Sequence, residues 1–471
     1  MQHAKRNAID SLVIRRCRRL FLLLAPGVIA FCGPCLAAEV VGAPCTHYAS
    51  PAGKGNGKSP GAPFPVATFW TLAKPGDTLC LLNGTYRGDS LISPPSKLSG
   101  SPDAPITIRA LYEGKVLLDG EGKKEPVRLA SNDWFVVEGV NACCSGGTVV
   151  LISRSSHDII RRVAAWDAAD GNESIFGVHY HSDHNLLEDV AGWGIARKIY
   201  ESSQGGNFTI IRRAWGRWEG SHVIGPKMVY TLAYNNYDML VENAIGTWSG
   251  EKMKRSYVLL GYDGKPWVGR GEGTYQNYEV DQPYGVFAVD RLDRDKNARA
   301  RLLGSIAYIT AHDSFKAPQL VLVTKLESVE IADTLAYAEP GSYPRVKTFA
   351  LYGLDLGGAQ ELIARNLTGI GGAAPVLARD WQVSHILHST STANLHARGE
   401  SIFKTSSRAN LCYRYVDGLR TTEPLWPWPM NQRIIDAMIQ SGRQPVDVTA
   451  TVESLFGPIP TPCRSTATEV R

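Results

Sequence analysis

After residue 38 the sequence has no run of basic residues, and a chain without a basic patch is a poor fit to DNA or RNA. The formal net charge is +5. Residues 1–38 hold six basic side chains (Lys5, Arg6, Arg15, Arg16, Arg18 and Arg19) against the single acid Asp10, so they account for all of it. The remainder is close to neutral, and nucleic acid is excluded as a partner. Long apolar runs are scarce too. The stretch from Leu20 to Phe31 is too short to span a bilayer comfortably, which argues against a retained anchor. No histidine lies at ligand spacing from a cysteine, so a zinc site is disfavoured. The spacing of an EF-hand is absent.

What the N-terminus does contain is ordered. Basic residues, the apolar stretch and then Cys35-Leu36-Ala37-Ala38 form the n-region, h-region and small-residue site of a secretory signal peptide, with cleavage expected near Ala37 or Ala38. Arg18-Arg19-Leu20-Phe21-Leu22 is similar to a twin-arginine export signal, and neither Cys32 nor Cys35 sits in a lipoprotein context. The expectation is a bacterial protein, secreted or periplasmic, with no transmembrane anchor after cleavage. Six cysteines then remain, an even number that suits an oxidising compartment. Cys45 is expected to pair with Cys80 and Cys412 with Cys463, each closing one end of the molecule. The adjacent Cys143 and Cys144 form either a vicinal bond or buried thiols.

About 430 residues would ordinarily make two or three domains, unless the chain is a repeat. Four segments align: His157–Trp166, His184–Trp193, Asn207–Trp218 and Tyr237–Trp248. Weaker copies follow at Leu302–Tyr308, Val329–Tyr337 and Leu362–Thr368. Their spacing of roughly 25 to 30 residues is that of a solenoid coil, whereas a propeller blade needs about 40. Each copy alternates β-branched or leucine residues with charges, as a half-buried strand requires. A polar turn precedes each one (Ser155-Ser156, Ser182-Asp183, Gly205-Gly206, Asn235-Asn236), and upstream lies another apolar alternation such as 177–181 or 229–234. Strand, tight turn, strand and loop make a coil of a parallel β-helix, with Asn and Ser at the turns bonding along the stack. One interior ladder is expected to hold Ile159, Leu186, Ile210 and Leu240.

The segments Tyr48-Ala-Ser-Pro-Ala-Gly-Lys-Gly-Asn-Gly57 and Ala73-Lys-Pro-Gly-Asp-Thr-Leu-Cys-Leu-Leu-Asn-Gly-Thr-Tyr86 resemble the opening of the pectate-lyase-like right-handed parallel β-helix proteins. The resemblance covers this opening well and extends loosely to about residue 400. It implies an all-β, single-stranded right-handed parallel β-helix solenoid with an N-terminal cap and a short C-terminal helical tail. The expected parts are a signal peptide (1–38), a cap and first coil (39–105), the β-helix (106–410, interrupted by an excursion over about 250–280) and a C-terminal cap (411–471). In the tail, Asn431–Ser441 and Asp447–Phe456 read as short helices, each opened by a capping residue and stopped by Gly442 or Gly457. Pro424–Pro429 is expected to lay the tail against the last coil.

The resemblance further implies a polysaccharide partner lying along the helix axis. Polar and aromatic residues are concentrated between 167 and 222. A uronate lyase must neutralise the carboxylate beside the acidic C5–H and supply a base for that proton. Lys198 with Arg197 or Arg217, assisted by His181, meets that need, and His179, Glu201, Glu219 and His222 can bind substrate. Taken singly, each also fits an ordinary solvated face. The loop holding Asp167, Asp170, Asn172 and Glu173 is rich enough in oxygen to hold Ca²⁺ as a cofactor, and equally suits a polar turn. A glycoside hydrolase needs two carboxylates across a cleft. Glu188, Asp189, Glu201 and Glu219 are available, but no motif pairs them and the clustered aspartates of polygalacturonases are missing. Trp166, Trp193, Trp218 and Trp248 recur at strand ends as a stacked core or edge ladder. The reading is a polysaccharide (uronate) lyase acting by β-elimination, with a non-catalytic glycan-binding or structural surface protein as the alternative and a glycoside hydrolase as a further one.

Overall fold

The computed structural model describes residues 44–221, 227–233, 236–248, 283–290, 299–310, 319–324, 328–339, 346–351, 361–377, 382–389 and 410–465. The expected signal peptide, the excursion over 250–280 and His222 lie outside them. Each coil contributes one strand to each of three sheets. Ser174–His179, Leu186–Glu188 and Ala191–Ile195 make one coil, and Lys198–Ser203, Ile210–Arg212 and Trp215–Gly220 the next. Matching strands pair in parallel: Phe176 with Tyr200 in the first sheet, Leu187 with Ile211 in the second, Trp193 with Arg217 in the third. The fold is a right-handed parallel β-helix. In later coils the second and third strands run together, as in Ser328–Ala338 and Glu361–Ile370.

The second and third sheets meet at a corner of about two residues, which forces a left-handed backbone once per coil. Arg162, Asp189, Arg213 and Asn243 have φ of 52°, 52°, 49° and 48°. A left-handed non-glycine residue costs roughly 1–2 kcal/mol. Side-chain bonding offsets part of that cost: Arg213 Nε donates to Asp189 Oδ1 of the preceding corner at 2.7 Å.

The interior is built from ladders. Leu186, Ile210 and Leu240 do follow Ile159 in register, but they face outward. The buried ladder is offset by one residue: Val137, Ile160, Leu187, Ile211, Val241 and Leu302, each at most 4 % exposed. Because side chains alternate faces, a one-residue error inverts the whole set. Outward-facing Leu240 is instead covered by Tyr415 of the tail, with Ile210 packed beside it. Phe176, Tyr200 and Tyr230 stack at 5.0 and 4.7 Å inside the first sheet. The Tyr200 hydroxyl donates to the carbonyls of Val190 and Trp215, so its buried O–H is satisfied. At the turn after the first sheet, Ser155 Oγ accepts from Asn132 N, and Asn236 Oδ1 from Gly205 N and Gly206 N. The turn residues thus bond along the stack, as their composition predicts.

The tryptophans divide. Trp166 and Trp193 stack at 5.3 Å on the outer side of the third sheet, while Trp218 and Trp248 belong to the core. The register explains the split: Trp193 pairs with Arg217, not Trp218.

At the N-terminal end, helix α1 (Val66–Leu72) tucks Val66 and Phe69 into the core, and Cys45 is bonded to Cys80. Helices α2 (Asn431–Gln440) and α3 (Val448–Phe456) end at the left-handed Gly442 and Gly457. Asp447 caps α3 through Ala450 N; α2 starts at Met430 with no side-chain cap, because Asn431 accepts from Thr449 N instead. Among the described residues the tail packs across several coils, from Trp166 to Ile370. Trp426, Trp428, Ile434 and Phe456 join Trp166, Trp193 and Trp215 in one cluster, so the tail runs back along the outer face of the third sheet. The bonded pair Cys412–Cys463 therefore staples this flank, and Cys143–Cys144 form a vicinal bond. No helix among the described residues is long and apolar enough to cross a membrane.

Candidate functional site

On the first sheet, strand alternation breaks where the chain rounds the corner. Ile199 and Tyr200 are both core residues, and the pairing skips Ile199. Lys198 and Glu201, three positions apart, are thereby brought to the same outer face. Lys198 Nζ donates to Glu201 Oε1 at 2.6 Å and to Asn172 Oδ1 at 3.4 Å. Ser174 Oγ, one coil earlier, donates to Glu201 Oε2 at 2.6 Å. His179 lies 3.9 Å from the same oxygen through Nε2, and its Nδ1 is bonded to Ser203 Oγ at 2.8 Å. Gly177 makes room for this imidazole; a Cβ there would collide with His179 Nε2.

Although these side chains point away from the core, they are sheltered: Lys198 is 2 % and Glu201 5 % exposed. Burial raises the Glu201 carboxyl, but the charges of His179 and Lys198, with hydrogen bonds from Lys198 and Ser174, hold it below its ordinary value. His179 is pushed down by burial and by Lys198, against the pull of Glu201. Arg197 Nη1 donates to Asn172 Oδ1 at 2.5 Å. In the next coil Lys227, 5 % exposed, is pulled down to about 8 by burial and by the Arg197 charge, against Asp170. Lys227 and Ser174 were not among the residues singled out from sequence. The usable signal is positional, since Met228 N bonds to Arg197 O and so places Lys227 one coil beyond Arg197.

The other expected members of the site are elsewhere. His181 is exposed on the turn after the first sheet, at φ 60°. Lys198 is level with Ser174, and the five positions from Ser174 to His179 already span about 16 Å. Arg217 and Glu219 are on the third sheet, where Arg217 Nη2 donates to Glu219 Oε1 at 2.5 Å. Arg443 of the tail bonds Glu219 Oε2 at 3.1 Å and Asp167 Oδ1 at 2.6 Å. These three residues clasp the tail and are not part of the Lys198 cluster. The oxygen-rich loop is likewise divided: Asp167 goes to Arg443, Asp170 accepts from Ser221 Oγ and Glu173 from Thr148 Oγ1. Asp167, Asp170 and Glu173 do not converge as one ligand set. Among the described residues, Asp119, Cys143 and Cys144 alone gather at metal-ligand distances, and both cysteines are bonded to each other.

Among the described residues, the acids available to a hydrolase are engaged by basic side chains instead. Glu188 is held at about 2, because Arg213, Arg212 and Arg161 outweigh the effect of its burial, and Asp189 is bonded to Arg213. Glu219 is engaged by Arg217 and Arg443, and Glu201 by Lys198 and Ser174.

No family model matches the sequence, and no curated protein matches it. The chain is similar to pectate lyase Pel9A. That structure superposes with a TM-score of 0.48 at 14 % identity over 83 % of this chain and 90 % of the other. An alginate lyase from Paenibacillus sp. str. FPU-7 gives 0.33 at 15 % identity, over 68 % and 95 %. The Streptococcus pneumoniae surface adhesin PfbA gives 0.33 at 10 % identity, over 67 % and 76 %.

Proposed function

We propose that the protein acts on an acidic polysaccharide as a uronate lyase, working on the outer face of the first sheet. The observation that carries this reading is the basic edge of the first sheet, where Lys198 and His179 lie at Glu201, and Arg197 and Lys227 stand in successive coils beside Lys198, which supplies both requirements of β-elimination. Arg197 and Lys198 neutralise the uronate carboxylate, lowering the cost of negative charge at C5. Lys227, with a proton affinity lowered into the working range, accepts the C5 proton. The electron pair forms the C4–C5 double bond, the C4–O bond breaks, and the departing oxygen takes up a proton. Glu201 fixes Lys198 in place.

We also propose that the chain is exported, which agrees with three bonded cysteine pairs and the basic-then-apolar N-terminus. The test is ultraviolet detection of unsaturated products from purified protein given polygalacturonate, alginate and neutral glycans, with and without chelator. Turnover on a uronate, rising with pH through about 8 as Lys227 loses its proton, is the expected result. Loss of turnover with chelator would add Ca²⁺ to the site. Uronate binding without product would favour the non-catalytic glycan-binding protein, and new reducing ends without unsaturation would favour a hydrolase.

A further inference from the structure

A concave region lies nearer the N-terminal end of the same sheet. It is a cleft of about 600 Å³ lined by Trp70, Leu91, Lys123, Lys124, Glu125 and Arg128 among others. Trp70 projects from α1, is half-buried and packs against the core, leaving the rest of its indole toward the cleft. Two of the cations are balanced: Lys124 pairs with Asp89 at 2.8 Å and Arg128 with Glu125 at 2.9 Å. Lys123 is exposed and makes no ion pair among the described residues, which leaves the lining with one excess positive charge.

The cleft shares a sheet with the Lys198 cluster, since Arg128, Leu151, Gly177 and Glu201 occupy one register position in successive coils. Gly146 and Gly147 form part of its wall, and a Cβ at Gly147 would sit 3.0 Å from Glu125 Oε1. The next residue, Thr148, donates to Glu173, and the Glu173 carbonyl accepts from Arg197 N. The coils run in register from Ile92 through Val127, Val150 and Phe176 to Tyr200. Four coil steps of about 4.8 Å give roughly 19 Å along the axis, more than a disaccharide covers.

We propose that this cleft is an extended binding subsite, in which Trp70 stacks on a sugar ring and Lys123 meets a carboxylate of the same acidic chain that reaches Lys198. The inference rests on the proposed uronate specificity and adds to it a minimum chain length. An aromatic side chain beside charged groups with a net positive charge suits an acidic glycan better than an apolar metabolite.

Calorimetric titration with galacturonate and mannuronate oligomers of increasing length, using full-length protein, tests it. Affinity should climb with length until the chain spans both regions. Trp70→Ala should lower affinity for the long oligomers at least tenfold while leaving the shortest bound ones unchanged. Since Trp70 also touches the core, Lys123→Glu serves as a second variant on an exposed side chain and should act in the same direction. If both variants bind long oligomers as wild type does, or weaken short and long ones equally, the subsite is wrong while the Lys198 reading stands. If wild type binds no uronate of any length, the functional reading fails and the subsite with it.

Discussion

Lys198 shows why a side chain's surroundings matter more than its type. Read from sequence as an exposed cation, it would be replaced by alanine at little cost. In the fold it is 2 % exposed and bonded to a buried carboxylate, so removing it strands Glu201 without a counter-charge. Breaking a buried pair costs about 3–5 kcal/mol, whereas replacing both partners by neutral groups is often close to neutral. Lys198→Ala should therefore lower thermal stability as well as turnover. The double variant Lys198→Met, Glu201→Gln should regain most of the stability and none of the turnover, as melting curves and product assays on the same samples will show. Asp158 is a second buried acid with the opposite tendency. It is fully buried, Oδ1 accepts from Phe135 N, and Oδ2 has no partner. Burial pushes its carboxyl well above the ordinary value. A raised acid contributes stability that is fully present below the unfolded pKa and is lost as pH climbs through the folded one. At neutral pH Asp158 thus opposes folding, and Asp158→Asn should stabilise the protein by about 1 kcal/mol or more, with the gain shrinking in acid. A variant that melts lower than wild type at neutral pH would count against this account.

Strands stack into charge ladders as readily as into apolar ones. On the outer side of the second sheet Glu138, Arg161, Glu188, Arg212 and Glu242 occupy one register position over five coils. Glu188 receives Arg161 at 2.7 Å, Arg212 at 2.6 Å and Arg213 at 2.6 Å. Its value of about 2 lies below that of the unfolded chain, so its stabilisation is present above the unfolded pKa and disappears as pH falls through about 2. Glu188→Gln should cost on the order of 3 kcal/mol at neutral pH, and the gap from wild type should close in acid unfolding experiments. A gap that persisted at the acid end would assign the cost to lost packing. The third sheet adds a different device, the Asp167–Arg443–Glu219–Arg217 clasp, which fixes the segment after α2 over Trp166 and Trp193.

Across the whole molecule, a solenoid derives stability from neighbouring coils rather than from one closed core. The Cys45–Cys80 and Cys412–Cys463 bonds close sequence separations of 35 and 51 residues. In the chain-entropy model each is worth about 4 kcal/mol. Reduction should lower the melting temperature yet preserve the far-ultraviolet dichroism of stacked strands at ambient temperature; outright loss of that signal would make the bonds essential to the fold. The repeat, the strand–turn–strand order, the Ser and Asn turns and both tail helices were legible in the sequence, because periodicity and turn chemistry are local properties. That Arg197, Lys198 and Glu201 lie close together was legible because they are neighbours in sequence, whereas the approach of His179 to Glu201 needed the pairing of two coils. Which face each ladder took was not legible, since Ile159 and Ile160 are equally apolar and a period of two has no origin in the sequence. Nor was it legible that Arg217 and Glu219 serve the tail, because Arg443 is more than two hundred residues away. The sequence by itself determined that the chain winds into coils and where it turns. The tertiary structure decided which side chains meet, because face, register and the return path of the tail depend on contacts between distant residues.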